Sequence, residues 1–173
     1  MASSPEAVLV TGVFGVGKST VAADLADVLE IVDVAYAALD LDWLTWTNSS
    51  GPSRADEHQM MLTNLAAVVG NYLDAGATHF VLARSIRDRD ELSSLADILA
   101  MPLRTVELTV PYEEIARRLA TDPTDGRRDD LARSAEWMSR GVGSGLAERT
   151  VANDRPVRDV SLEIIRWLDW PQP

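Results

Sequence analysis

Cysteine is absent from this chain. No disulfide can staple it, and no thiolate can hold a metal. Histidine is scarce: His58 and His79 are the only two, too far apart to give zinc-ligand spacing. No apolar run approaches the roughly 18 residues of a membrane-spanning helix. The opening Met1-Ala2-Ser3-Ser4-Pro5 lacks the basic-then-apolar pattern of a secretory signal. Positive charge is also short. Sixteen Lys and Arg against 27 Asp and Glu leave a net charge of −11, which argues against a nucleic-acid backbone or an anionic membrane surface as partner. The expectation is a cytoplasmic protein, monomer or homodimer, with neither nucleic acid nor membrane among its partners.

What is present is the composition of an ordinary globular domain, 46% hydrophobic and 25% charged over 173 residues. That length fits one domain, residues 1–173, with a sizeable core. Within it, Gly12-Val13-Phe14-Gly15-Val16-Gly17-Lys18-Ser19 satisfies G-x-x-x-x-G-K-[ST], the phosphate-binding P-loop. Ala7–Thr11 before it reads as a buried strand and the segment from about Lys18 to Leu29 as a helix, the order that gives the motif its meaning. Glycines let backbone N–H groups approach phosphate oxygens, and the helix N-terminus favours an anion. Lys18 would meet the β/γ-phosphates and Ser19 a Mg²⁺ ion. Thr20 adds a hydroxyl near the α-phosphate. ATP and Mg²⁺ are thus the expected cofactors. No Asn-Lys-x-Asp sequence supports guanine.

Short apolar runs alternate with amphipathic stretches along the whole chain, the pattern of β-α-β units. Further strands are predicted at Val34–Leu39, His79–Ala83, Thr105–Val110 and Arg149–Asn153. Helices are predicted from Asp56, as a cap, to Asp74, over Asp90–Leu99, after Pro111, around Leu131–Arg140 and over Val157–Leu168. Thr121–Asp130 reads as a mobile loop. Gly141–Gly145 weakens or breaks the helix before it. Five strands with intervening helices imply an α/β fold, a parallel sheet covered on both faces. Ligands then bind at the carboxyl ends of the strands, where the P-loop, Asp40, Asp42, Arg84 and Asn153-Asp154-Arg155 all fall.

From these residues the chain resembles the small P-loop kinases of the nucleoside-monophosphate-kinase-like class, including shikimate and gluconate kinases and chloramphenicol phosphotransferase. The resemblance implies a three-layer P-loop fold with a five-stranded parallel sheet in order 2-3-1-4-5. It also implies an acceptor-binding region at about 43–75 and a lid at about 121–130. It further implies an ATP-dependent kinase acting on the hydroxyl or phosphate of a small acceptor.

Residue by residue, Asp42 matches the family's aspartate beside the acceptor hydroxyl, with Asp40 as the alternate. A carboxylate there accepts a proton or holds Mg²⁺; the plainer alternative is a cap on the next turn. Arg118 matches the arginine lying against adenine, and Arg128 or Arg127 a lid arginine clamping phosphates. Arg155 and Pro156 match positions bordering adenine, although Asn-Asp-x-Pro is also ordinary helix-start chemistry. The strand ending at Ala83 is followed by Arg84-Ser85, not by a Walker B acid, which shifts Mg²⁺ duty to Ser19 and Asp42. Arg84 and Arg87 would face an anionic group on the acceptor, unless Arg87 pairs within Arg87-Asp88-Arg89-Asp90-Glu91. Trp43 and Trp46 either line an acceptor pocket or pack one helix face on the core, the expectation for one of them. A nucleotide-dependent switch or accessory ATPase acting on a protein partner is the competing reading.

Overall fold

The computed structural model describes residues 4–47, 54–120 and 125–173. Eleven elements and one short turn follow in order among them. They are β1 (Glu6–Thr11), α1 (Lys18–Ile31), β2 (Tyr36–Asp40), a 3₁₀ turn (Leu41–Thr45), α2 (Arg54–Asp74), β3 (His79–Ala83), α3 (Arg89–Leu99), β4 (Leu103–Thr109), α4 (Tyr112–Ala120), α5 (Asp125–Arg140), β5 (Arg149–Ala152) and α6 (Val157–Leu168). All strand pairs are parallel, in the order β2-β3-β1-β4-β5. The sheet order and helical layers are those that the resemblance implies.

The alternation of side chains along each strand explains the layers. Val8 and Val10 of β1 point to one face, with Val21 and Leu25 of α1, Ile115 of α4 and Ile164 of α6. Ala7 and Leu9 point to the other, with Met61 and Leu65 of α2 and Leu95 of α3. Both faces are apolar, so the strands read as continuous hydrophobic runs. Because every strand is parallel, every carboxyl end opens on one edge of the sheet.

Several boundaries differ from the sequence expectations. β2 starts at Tyr36, not Val34, because Val34 N–H is spent on Leu29 O at the end of α1. α2 begins at Arg54, which leaves Asp56 inside its first turn and not at its cap. α3 begins at Arg89, with Asp88 as the residue whose side chain accepts from Glu91 N–H. The expected 121–130 loop is helical from Asp125 onward, as the first turns of α5; Thr121–Thr124 and the side chains of Arg127 and Arg128 lie outside the described residues. Gly141 does end that helix, as its position suggested. Among the described residues no helix is long and apolar enough to cross a membrane.

At the opposite edge of the sheet, His79 opens β3 with its ring edge-on to Trp170, 4.8 Å between centroids. Burial lowers its pKa, and Glu6 opposes the shift weakly. The native imidazole is therefore neutral while the unfolded one titrates near about 6.5. This part of the stability is present above that pH and is lost as pH falls through it, because the unfolded state then binds more protons. Wild type should lose more melting temperature between pH 7.5 and 5.5 than His79→Gln does, measured by thermal denaturation.

Candidate active site

The P-loop starts where β1 ends and α1 has not yet begun. Gly17 stands at the N-terminus of α1 in the left-handed region, φ 99°, and a Cβ there would come within 2.5 Å of Asn153 Nδ2. Asn153 itself is buried and donates to Val16 O at 2.8 Å. Arg118 Nη1 donates to the same oxygen at 3.1 Å, and its Nη2 donates to Asn153 O at 2.7 Å. Arg118 is held in turn by Glu114, which accepts from its Nε at 2.6 Å. The bonds from Arg117 and Arg118 lower the Glu114 pKa to about 2, so this carboxylate stays charged at any working pH. Arg118 is thus placed between the phosphate loop and the segment after β5.

Lys18 is buried, with Nζ donating to Val13 O at 3.0 Å. Phe14, at the tip of the loop, lies edge-on to Trp137 of α5, 5.3 Å between centroids. Arg133 of α5 stands 4.9 Å from the same ring, and Ser134 Oγ donates to Phe14 O at 2.7 Å. The later turns of α5, beyond the 121–130 segment expected as a lid, are therefore seated on the P-loop.

Asp40 closes β2 and its carboxylate does two things. Oδ1 accepts from Asp42 N–H at 3.1 Å, fixing the 3₁₀ turn, and Oδ2 accepts from Ser19 Oγ at 2.5 Å. Capping and site geometry thus coincide in one side chain. Asp42, two residues on, takes Arg84 Nη1 at 3.0 Å on Oδ1. Desolvation in the cleft raises the Asp42 pKa, with Asp40 and Asp130 adding to it and Arg84 and Lys18 opposing. The aspartate beside the P-loop serine is therefore Asp40, the alternate of the two.

Arg84 leaves the end of β3 and is bracketed by acids. Its Nε donates to Glu91 Oε1 at 3.3 Å. Glu91, nearly buried, also accepts from Arg87 N–H at 2.9 Å and lies 3.4 Å from Arg87 Nε. Arg87 is thus paired within its own segment. Sequence reasoning placed Asn153 at this edge and Glu91 beside Arg87, but missed the hydrogen bonds that each makes here. Ser85, in the place of a Walker B acid, donates to Gly12 O at 2.8 Å. Arg155 pairs with Glu163, and Pro156 stands at the start of α6. Trp43 and Trp46 are 66% and 75% exposed, and they lean on each other at 4.6 Å. Neither packs on the core, because a five-residue turn has no second turn to bury.

Most of these groups line one cleft of about 1700 Å³ at the carboxyl edge of the sheet, among them Lys18, Ser19, Asp40, Asp42, Arg84 and Arg118, together with Arg155, Trp43, Trp46 and Arg87. The sequence profile of the AAA domain matches residues 8–139, from β1 through nearly all of α5. The chain belongs to the AAA domain family.

Three solved structures show how widely the fold of this AAA domain chain is shared. A sugar kinase from Janibacter sp. HTCC2649 superposes with a TM-score of 0.70 at 20% identity, covering 95% of each chain. A tunicamycin resistance protein of Deinococcus radiodurans gives 0.67 at 19%, covering 98% of each. The APS kinase of Mycobacterium tuberculosis, in complex with AMPPNP and APS, gives 0.62 at 22%, covering 96% of this chain and 99% of that one. The fold is that of the small P-loop kinases, as the motifs suggested. A comparison of the AAA domain chain with curated proteins finds no match.

Proposed function

We propose that this chain is a small-molecule kinase that transfers the γ-phosphoryl group of Mg-ATP to an acceptor. The whole chain would act as one domain, with the acceptor side at about 43–75 and α5 as the lid. One observation carries the reading. A continuous line of hydrogen bonds runs from the P-loop outward, Ser19 to Asp40, Asp40 to Asp42, Asp42 to Arg84. It puts a carboxylate of raised pKa within the same cleft as the phosphate loop. The shared fold of kinases that act on sugars and on APS supports the same reading.

The residues fit a Mg²⁺ ion. The Ser19 hydroxyl and the Asp40 carboxylate present hard oxygen ligands side by side, and among the described residues no larger cluster of acids or histidines competes for a cation. Mg²⁺ is usually held by one or two carboxylates together with nucleotide phosphates. Ser19 and Asp40 would hold it, with Asp42 behind them, and the ion would neutralise charge on the phosphates. Lys18 and the loop N–H groups bind and orient the phosphates. Asp42 accepts the acceptor's proton as its oxygen attacks, and Arg84 holds that carboxylate in place. Thr20, Arg118, Arg155 and Pro156 border the nucleotide, while α5, with its arginines, excludes water.

Asp42→Asn should lower kcat by about 10²- to 10⁴-fold while leaving the fold intact. A base must be ionised, so activity falls as pH drops through the Asp42 pKa, and that pKa lies above the ordinary aspartate range. Arg84 opposes the rise most, so Arg84→Ala should move the acid limb of kcat/KM to still higher pH. ADP release from Mg-ATP with a metabolite extract, followed by mass spectrometry of the phosphorylated product, measures all of this. Stimulated release that Lys18→Ala removes supports the kinase. Release indifferent to the extract, with a partner protein held differently in ATP and ADP states, would replace it with a nucleotide switch.

A further inference from the structure

The cleft lining as a whole is balanced between acids and bases, and it takes in Glu57. Around Arg84 and Arg87 it gathers Asp42, Asp88 and Glu91, with His58 3.8 Å from Glu91. Both arginines are already engaged. Glu91, 5% exposed on its side chain, lies within 3.4 Å of the Nε of each, and Asp42 takes Arg84 as well. An arriving carboxylate or phosphate would have to displace one of these acids from its guanidinium, and it would then face the others at close range. The arginines therefore serve the protein's own acids more than they serve a ligand.

The aromatic pair beside them points to a different ligand. Trp43 and Trp46 are the two most exposed large hydrophobic side chains among the described residues. They follow Asp42 directly, line the cleft and lean together at 45°. Open indole faces take up flat or cationic groups, and tryptophan is the strongest aromatic partner for a cation. Acids and open indoles together match a ring that is neutral or carries an amine.

We propose that the acceptor is a neutral or amine-bearing ring compound that lies on the Trp43–Trp46 pair and presents a hydroxyl to Asp42. An amine, where present, faces Glu57 and Asp88. Anionic acceptors are selected against. The proposal rests on the kinase reading only in calling this ligand the acceptor; the charge preference can be measured without nucleotide.

The test uses one ring in three charge states: benzylamine, benzyl alcohol and benzoate, titrated into the full chain and followed by saturation-transfer NMR and tryptophan fluorescence. Benzylamine and benzyl alcohol should bind about tenfold more tightly than benzoate. The double change Trp43→Ala and Trp46→Ala should weaken both by about threefold to thirtyfold. It alters exposed side chains only, so the fold is kept. Glu91→Gln removes the negative charge shared by both arginines, leaving Arg84 its bond to Asp42, and should narrow or reverse the discrimination against benzoate. Benzoate binding equal to or tighter than the others would overturn the proposal. So would binding indifferent to the tryptophan changes, or no binding by any of the three. A dimer in sedimentation that the double variant abolishes, with no probe bound, would assign the pair to a second copy of the chain instead. The two readings fail separately. The charge order without ADP release would remove the kinase alone, and ADP release driven by an anionic acceptor would remove this inference alone.

Discussion

Lys18→Ala should lower phosphoryl transfer by roughly 10²- to 10³-fold, the usual loss when one preorganised charge-stabilising donor is removed from a reaction centre. The effect is electrostatic. In phosphoryl transfer the protein does little covalent work and catalysis is mostly positioning and charge neutralisation. Lys18 is the loop's own cation, buried against it with Nζ on Val13 O. The same geometry sets the structural cost. The hydrogen bond to Val13 O, worth about 1 kcal/mol, is lost together with the contact over the Phe14 ring, and each kcal/mol lowers Tm by about 2–4 °C for a chain of this size. Steady-state kinetics beside a thermal melt separate the two effects. A variant that melts as expected yet keeps more than a tenth of wild-type turnover would remove Lys18 from the reaction.

Gly12→Ala should be strongly damaging to stability. Gly12 sits at φ +133°, and a Cβ there would lie 2.6 Å from Leu108 O in the β4 backbone. A backbone carbonyl cannot rotate away as a side chain can. Backbone strain of about 1–3 kcal/mol adds to overpacking of similar size. The total is a large share of the 5–15 kcal/mol that holds a domain together. Tm should drop by roughly 10 °C or more, and Ser85 should lose its partner on Gly12 O. Gly70→Ala is the internal control. Gly70 lies inside α2 with nothing within 4 Å of the added carbon, so the same change there should stabilise by up to about 1 kcal/mol. Urea titration of the two variants should give opposite signs.

Local signals carried most of what could be read without coordinates. The P-loop, the strand runs buried on both faces and the carboxylates closing β2 are each specified by neighbours in the chain. What escaped were residues whose role is made by distant partners. Asn153 matters because it reaches Val16, 137 positions away, and Ser134 because it reaches Phe14, 120 positions away. Glu91 looked like one acid in a charged helix start; burial between Arg84 and Arg87 made it an organiser. The start of α5 is polar and glycine-containing, which reads as a loop. Its later turns seat on Phe14 through Ser134 and Trp137, and that tertiary contact outweighs weak propensity. Trp43 and Trp46 have helical spacing, but spacing predicts a buried face only where the helix is long enough to have one.

The double hold on Val16 O has a consequence for the chain during synthesis. The loop at residues 12–19 leaves a ribosome before Arg118 and Asn153 do. The two donors that fix its peptide, Arg118 and Asn153, are made about a hundred residues or more later. Until then the segment has its glycines but not its shape. A loop made early in this domain takes its final shape only when later residues reach it.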